Sequence, residues 1–269
     1  PAGKGPFPVV ICLSGSGGGF SEPRAALLAS RGYAAFALAY FNAGSLPRVL
    51  REVPLEFLEK GIGWLEGRSE VDSRRLAVYG FSKGGELALL LGSLYPRIRA
   101  VAAVSGAAHV WQGLDFRRPG SSWSRGGKPL PFLRMKVPLL TMLKLLRGRP
   151  VSFRESYERG LRCARDPLPA LIPVEKIAGP VFLVAGTDDR VWPSAEYSDA
   201  IAERLERRGE GRACEYLREE GAGHLVGLPY FPAAEVCRNL VFASSGLEKS
   251  SRALIRAWDG LLAFLAKNL

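Results

Sequence analysis

At 269 residues, 47% hydrophobic and 23% charged, the chain is long enough to bury the core of one large α/β domain. It shows no internal repeat and no low-complexity tract. Its formal charge of +11 favours a polyanionic partner, yet no motif with interleaved aromatics points to nucleic acid. Cys12, Cys163, Cys214 and Cys237 have no C-x-x-C spacing, which suits a reducing, intracellular compartment better than a disulfide framework, and neither a membrane-spanning run nor a signal peptide is read.

In chain order, apolar strand-like runs at 8–13 and 33–40 bracket a helical pattern at 23–30, and a long helical stretch is expected at 47–65. The polar, turn-like residues 72–75 precede a short strand at 76–79, followed by strong helix formers at 86–95. Strands at 98–105 and 180–185, a helix at 195–208, a weaker strand at 213–217 and a last helix at 251–265 complete the pattern. Short apolar strands interleaved with helices predict an α/β class with a mostly parallel sheet covered on both faces. Ligands of such sheets sit beyond the carboxyl ends of the strands.

The stretch LAVYGFSKGG (76–85) runs strand, Gly80-x-Ser82-x-Gly84, helix. That is the layout of a nucleophile elbow, a turn so tight that the positions two before and two after the serine must be small. It sets the serine oxygen near a helix N-terminus, where backbone amides favour developing negative charge. The competing reading is an ordinary N-cap serine. A serine nucleophile needs a base that titrates near neutrality, and the chain holds only two histidines, His109 and His224. His224 follows the last expected strand. Asp188 and Asp189 follow the strand before it. The order serine, acid, histidine is that of α/β-hydrolases. Asp189 is favoured as the acid because it stands fourth in a Gly-x-x-Asp turn beginning at Gly186; Asp188 reads as a turn-former, and His109 as a packed histidine or a neighbour of the substrate. An oxyanion formed at Ser82 calls for two amides, that of Lys83 and one from Ser14-Gly-Ser-Gly-Gly-Gly19, either Ser16 or Gly17. A nucleotide loop there is disfavoured, since Gly-Lys-Ser/Thr is lacking and no acid ends the second strand.

Together, CLSGSGGGFSEPRAALLASRGYAAFALAYFN, GFSKGGELALLLGS, IPVEKIAGPVFLVAGTDDRVW and GAGH followed by LPYFP resemble the catalytic domain of the family containing acyl-CoA thioesterases and bile acid-CoA:amino acid N-acyltransferase. The resemblance covers nearly the whole chain. It implies an α/β-hydrolase fold, a triad of Ser82, Asp189 and His224, an acyl-CoA substrate, and chemistry that needs no cofactor or metal. A one-residue uncertainty in the spacing to His224 keeps Asp188 open. Family members also carry an N-terminal β-sandwich domain, expected to be absent from a chain that opens Pro-Ala-Gly-Lys without methionine. Thioester hydrolysis is the expected activity. The alternatives are acyl transfer to an amine, disfavoured because the conjugating enzyme uses cysteine where Ser82 stands, a general or dienelactone-type esterase, and a silent binding module.

Charge adds a further point. Residues 112–165 hold 13 Lys or Arg against 3 Asp or Glu, a net +10 of the chain's +11. The segment falls inside the stretch from about 107 to 170, where hydrolases often insert a cap, and VPLLTMLKLLRG within it reads as a short apolar helix. A basic cap beside a thioester site suits the phosphates of coenzyme A; a solvated basic face is the plainer alternative.

Overall fold

The computed structural model describes residues 1–209, 214–226 and 247–269. Cys237, the LPYFP stretch and the first residue of the last expected strand, Ala213, lie outside these. The elements run β1 (Phe7–Leu13), α1 (Glu22–Ala29), β2 (Ala34–Ala37), β3 (Val53–Pro54), α2 (Leu55–Glu66), β4 (Val71–Phe81), α3 (Lys83–Leu94) and β5 (Ala100–Val104). They continue through β6 (Trp123–Arg125), β7 (Lys128–Pro129), α4 (Leu139–Leu146), α5 (Arg154–Arg162), β8 (Val181–Gly186), α6 (Ser194–Arg207), β9 (Cys214–Glu219) and α7 (Leu247–Asn268).

Six strands form one sheet in the order β2-β1-β4-β5-β8-β9, with every pair parallel. Period-2 alternation sorts its side chains between two cores. Val9, Ile11 and Leu13 pack with Leu58 and Ile62 of α2, the leucines of α3, and Ile201 of α6. Val10 and Cys12 pack on the other side with Leu28 of α1 and with Trp258, Leu261 and Phe264 of α7. With both faces of the central strands covered, the loops at the carboxyl edge are where chemistry can gather.

Three local expectations need correction. The polar residues 72–75 are not a turn before the strand but part of β4. The register moves from Pro8↔Asp72 to Val9↔Leu76, so the bulged segment stays in the strand while Arg74 and Arg75 bond the Asp72 carboxylate. The helix expected from residue 47 starts only at Leu55, its N-cap being Pro54. Proline disfavours helical backbone in the residue before it, and Val53 pairs with Trp123 instead. Once α2 begins, Leu55, Leu58, Ile62 and Leu65 form its buried stripe. The second strand ends at Ala37; beyond it, the Tyr40 hydroxyl donates to the Ser14 carbonyl at 2.6 Å, holding the loop after β1.

The stretch after β5 is sewn into the main core over its first half. Trp111 and Trp123 are fully buried and belong to the cluster that contains the leucines of α3. Its second half carries the short apolar helix read from VPLLTMLKLLRG, here α4.

Candidate active site

β4 ends at Phe81 and α3 begins at Lys83, so Ser82 alone makes the reversal, with φ 56° and ψ −121°. A positive φ on a side chain with a Cβ costs on the order of 1–3 kcal/mol and persists only where the surroundings impose it. The flanking glycines show what imposes it. A Cβ on Gly80 would lie 1.9 Å from the Gly84 carbonyl oxygen, and one on Gly84 would lie 2.4 Å from that of Ser14. The Ser82 amide donates to Val104 O at 2.8 Å, and its carbonyl accepts from the Gly85 and Glu86 amides at 2.8 and 3.0 Å. Its hydroxyl caps nothing in α3, which removes the N-cap reading.

That hydroxyl lies 2.9 Å from His224 Nε2 instead. His224 Nδ1 lies 2.7 Å from Asp189 Oδ2. Nδ1–H donating to the carboxylate while Nε2 accepts from the serine is the tautomer these two partners jointly require. The imidazole packs between Phe81 and Trp192, at centroid distances of 5.2 and 6.0 Å. Its loop is pressed against β8 at Gly186, where a Cβ would meet the Ala222 carbonyl oxygen at 2.2 Å. The His224 carbonyl accepts from Ser105 Oγ at 2.7 Å, and Trp192 Nε1 donates to Ser105 O at 2.9 Å. Asp189 is fully buried; its Oδ1 accepts from the Val191 and Trp192 amides at 2.8 and 3.2 Å, and its Oδ2 from Ser194 Oγ at 2.5 Å.

Asp188 and His109 stand apart from this chain. Asp188 is half-buried, pairs with Arg190 at 3.4 Å, and donates its amide to Ala222 O. His109 bridges to Leu171, and its buried Nδ1 has no partner among the described residues. Burial, assisted by the positive charge of Arg204, lowers its pKa from 6.5 to about 4.

Ser82 and His224 open onto a cavity of about 430 Å³, bordered by the loop from Ser14 to Gly18 and by apolar side chains that include Phe20, Phe116, Met135 and Tyr157. In that loop Gly18 and Gly19 donate their amides to Gly15 O and Phe41 O. Ser16 and Gly17 border the cavity with their amides uncommitted among the described residues. The Lys83 amide stands at the first position of α3, where helical geometry leaves an N–H unpaired.

The Lys83 side chain was not singled out by sequence reasoning. It is buried, with Nζ 2.9 Å from Glu86 Oε2, 2.9 Å from Ser122 Oγ and 3.4 Å from Trp111 O. Glu86 Oε1 accepts from Trp123 Nε1 at 2.8 Å and from the Trp111 amide at 3.4 Å. Burial lowers the Lys83 amine and raises the Glu86 carboxyl, each opposed by the other's charge. The first turn of α3 is thereby rooted in the stretch after β5. Lys-x-x-Glu at a helix start was the available signal; Ser105 and Ser194 carried none.

A family profile described as "BAAT / Acyl-CoA thioester hydrolase C terminal" matches residues 53–269. The peroxisomal succinyl-coenzyme A thioesterase of Mus musculus is 30% identical over 279 residues, an alignment covering 100% of this chain and 62% of that protein. The mitochondrial acyl-coenzyme A thioesterase 2 of Mus musculus is 31% identical over 280 residues, covering 100% and 57%. This chain therefore spans less than two thirds of these relatives. Among solved structures, MGS-M1, an alpha/beta hydrolase enzyme from a Medee basin deep-sea metagenome library, superposes with a TM-score of 0.56 at 19% identity, covering 97% of this chain and 84% of that one. The 2,6-dihydroxy-pseudo-oxynicotine hydrolase gives 0.58 at 16%, covering 100% and 62%. The fold is that of an α/β-hydrolase.

Proposed function

The chain belongs to the BAAT/acyl-CoA thioester hydrolase family, and from that premise we propose that it is the catalytic domain of a serine thioesterase that hydrolyses acyl-CoA to a free acid and coenzyme A. The chief support is the unbroken hydrogen-bonded chain from Ser82 Oγ through His224 to Asp189 on a largely apolar cavity.

In this reading His224 Nε2 takes the Ser82 proton as Oγ attacks the thioester carbonyl, and Asp189 holds the imidazole and stabilises its cation. The oxyanion faces the Lys83 amide and that of Ser16 or Gly17. Collapse of the tetrahedral intermediate breaks the C–S bond, and the imidazolium returns its proton to the departing thiolate. Water, deprotonated by His224, then attacks the Ser82 ester; the acid leaves and the serine is reprotonated. The apolar cavity suits an acyl chain, and the basic segment 112–165 suits the coenzyme's phosphates.

Thiol release measured across a panel of acyl-CoAs, against a small neutral ester and with Ser82→Ala as control, tests this. Thiol release that depends on Ser82, with kcat/KM well above that for the ester, is expected. Ester turnover without acyl-CoA turnover would move the general-esterase reading ahead.

A further inference from the structure

A helix on the surface of a globular protein sets its apolar stripe on the core and its polar face in water. Helix α4 departs from this by leaving its apolar side chains in water. Its sequence is LLTMLKLL, and none of its residues is buried. Leu139, Leu140 and Leu146 are 75%, 62% and 78% exposed, and Met142, Leu143 and Leu145 are exposed as well. The two polar side chains, Thr141 and Lys144, lie one turn apart on the side toward the body, bordering a cavity of about 280 Å³ shared with Ser152, Arg154, Glu155 and Glu158. Exposed cations flank it in the chain: Lys136 before the helix, Arg147 and Arg149 after it.

A protein groove covers one stripe of a helix, whereas here apolar side chains point outward on most sides, which suits a medium that surrounds the helix. At eight residues it is about 12 Å long, far short of a bilayer core of about 30 Å, so it fits the interfacial region. Lysine and arginine flanking such a helix match anionic headgroups at that level.

We propose that α4 inserts into the surface of an anionic lipid bilayer, with Lys136, Arg147 and Arg149 meeting the headgroups. Met135 and Phe153, on either side of the α4 excursion, both border the cavity that holds Ser82. Docking through α4 therefore holds the rim of that cavity near the membrane, where long-chain amphiphiles concentrate. The proposal does not depend on which ester Ser82 attacks.

The test uses flotation of the whole chain with phosphatidylcholine vesicles, with and without phosphatidylglycerol. The chain floats with the anionic vesicles, and Leu139→Glu/Leu143→Glu, whose sites touch no core, weakens binding at least about tenfold with an unchanged melting temperature. A Leu146→Trp reporter is quenched by brominated acyl chains, which reads insertion even if the double variant folds poorly. Three results would each overturn the proposal: no flotation, flotation without quenching of the reporter, or self-association through α4 in sedimentation velocity without vesicle binding.

Discussion

Asp188 and Asp189 are neighbours in the chain, yet one pairs with Arg190 at the surface while the other lies buried against His224. Asp189→Asn should therefore lower kcat by about 10³-fold or more, since the amide cannot hold the same tautomer, while Asp188→Asn leaves it nearly unchanged. His224→Ala should be as damaging as Asp189→Asn, and His109→Ala should not. Comparable losses for Asp188→Asn would move the acid by one position. Ser82→Ala should abolish labelling by a fluorophosphonate and cut kcat by about 10³-fold at least; labelling that persists would rule out Ser82 as the nucleophile. His109 has a different consequence. Its folded pKa, about 4, lies below the unfolded value of 6.5, so the unfolded chain binds a proton that the folded one refuses. The stability tied to neutral His109 is thus intact above pH 6.5 and is lost as pH falls toward about 4. Urea unfolding of His109→Gln across that window should show a shallower loss than the parent protein.

Helix α3 depends on backbone contact at one end and a buried ion pair just inside it. Gly80→Ala meets carbonyl backbone, which cannot swing aside as a side chain can, so this variant should lose several kcal/mol, about 3 or more, or fail to fold. Lys83 and Glu86 leave water together and also satisfy Ser122, Trp111 and Trp123. Removing one charge strands the other, at a cost of about 3–5 kcal/mol. Lys83→Met and Glu86→Leu should each show that loss in urea unfolding, and Lys83→Met/Glu86→Leu should fall short of the sum of these two single variants. Additive losses would mean that the two charges are not coupled.

On the scale of the molecule, net positive charge is concentrated in the 112–165 segment, part of which borders the cavity. Phe116 borders the cavity, and Arg117 and Arg118 beside it are exposed. If these cations meet the phosphates of coenzyme A, Arg117→Ala/Arg118→Ala should raise KM for acyl-CoA while leaving kcat nearly unchanged, because contacts far from the carbonyl act equally in the ground and transition states. A neutral ester should be indifferent to the change. Salt should imitate the substitution, since exposed charges are screened over about 8 Å at physiological ionic strength. A KM unmoved by either would leave the basic segment as a solvated face.

By itself the sequence determined the layer order, the elbow and the serine-acid-histidine order, because each is written in local pattern: period-2 apolar strands, glycines on either side of Ser82, and chemistry-bearing residues just after strands. Ends of elements were less legible. Residues 72–75 entered β4 through a register shift, and residues 47–54 were held out of α2 by proline and by pairing with Trp123. The turn at Gly186 favoured Asp189 over Asp188 in the sequence, and tertiary structure set the first against His224 and the second against Arg190, since adjacent residues take their surroundings from the fold. It alone assembled the supports of the site, in which Ser105 meets the His224 carbonyl across 119 positions and Lys83 meets Ser122 across 39. Contacts at such separations leave no local pattern, because they are set by where the sheet brings its loops together.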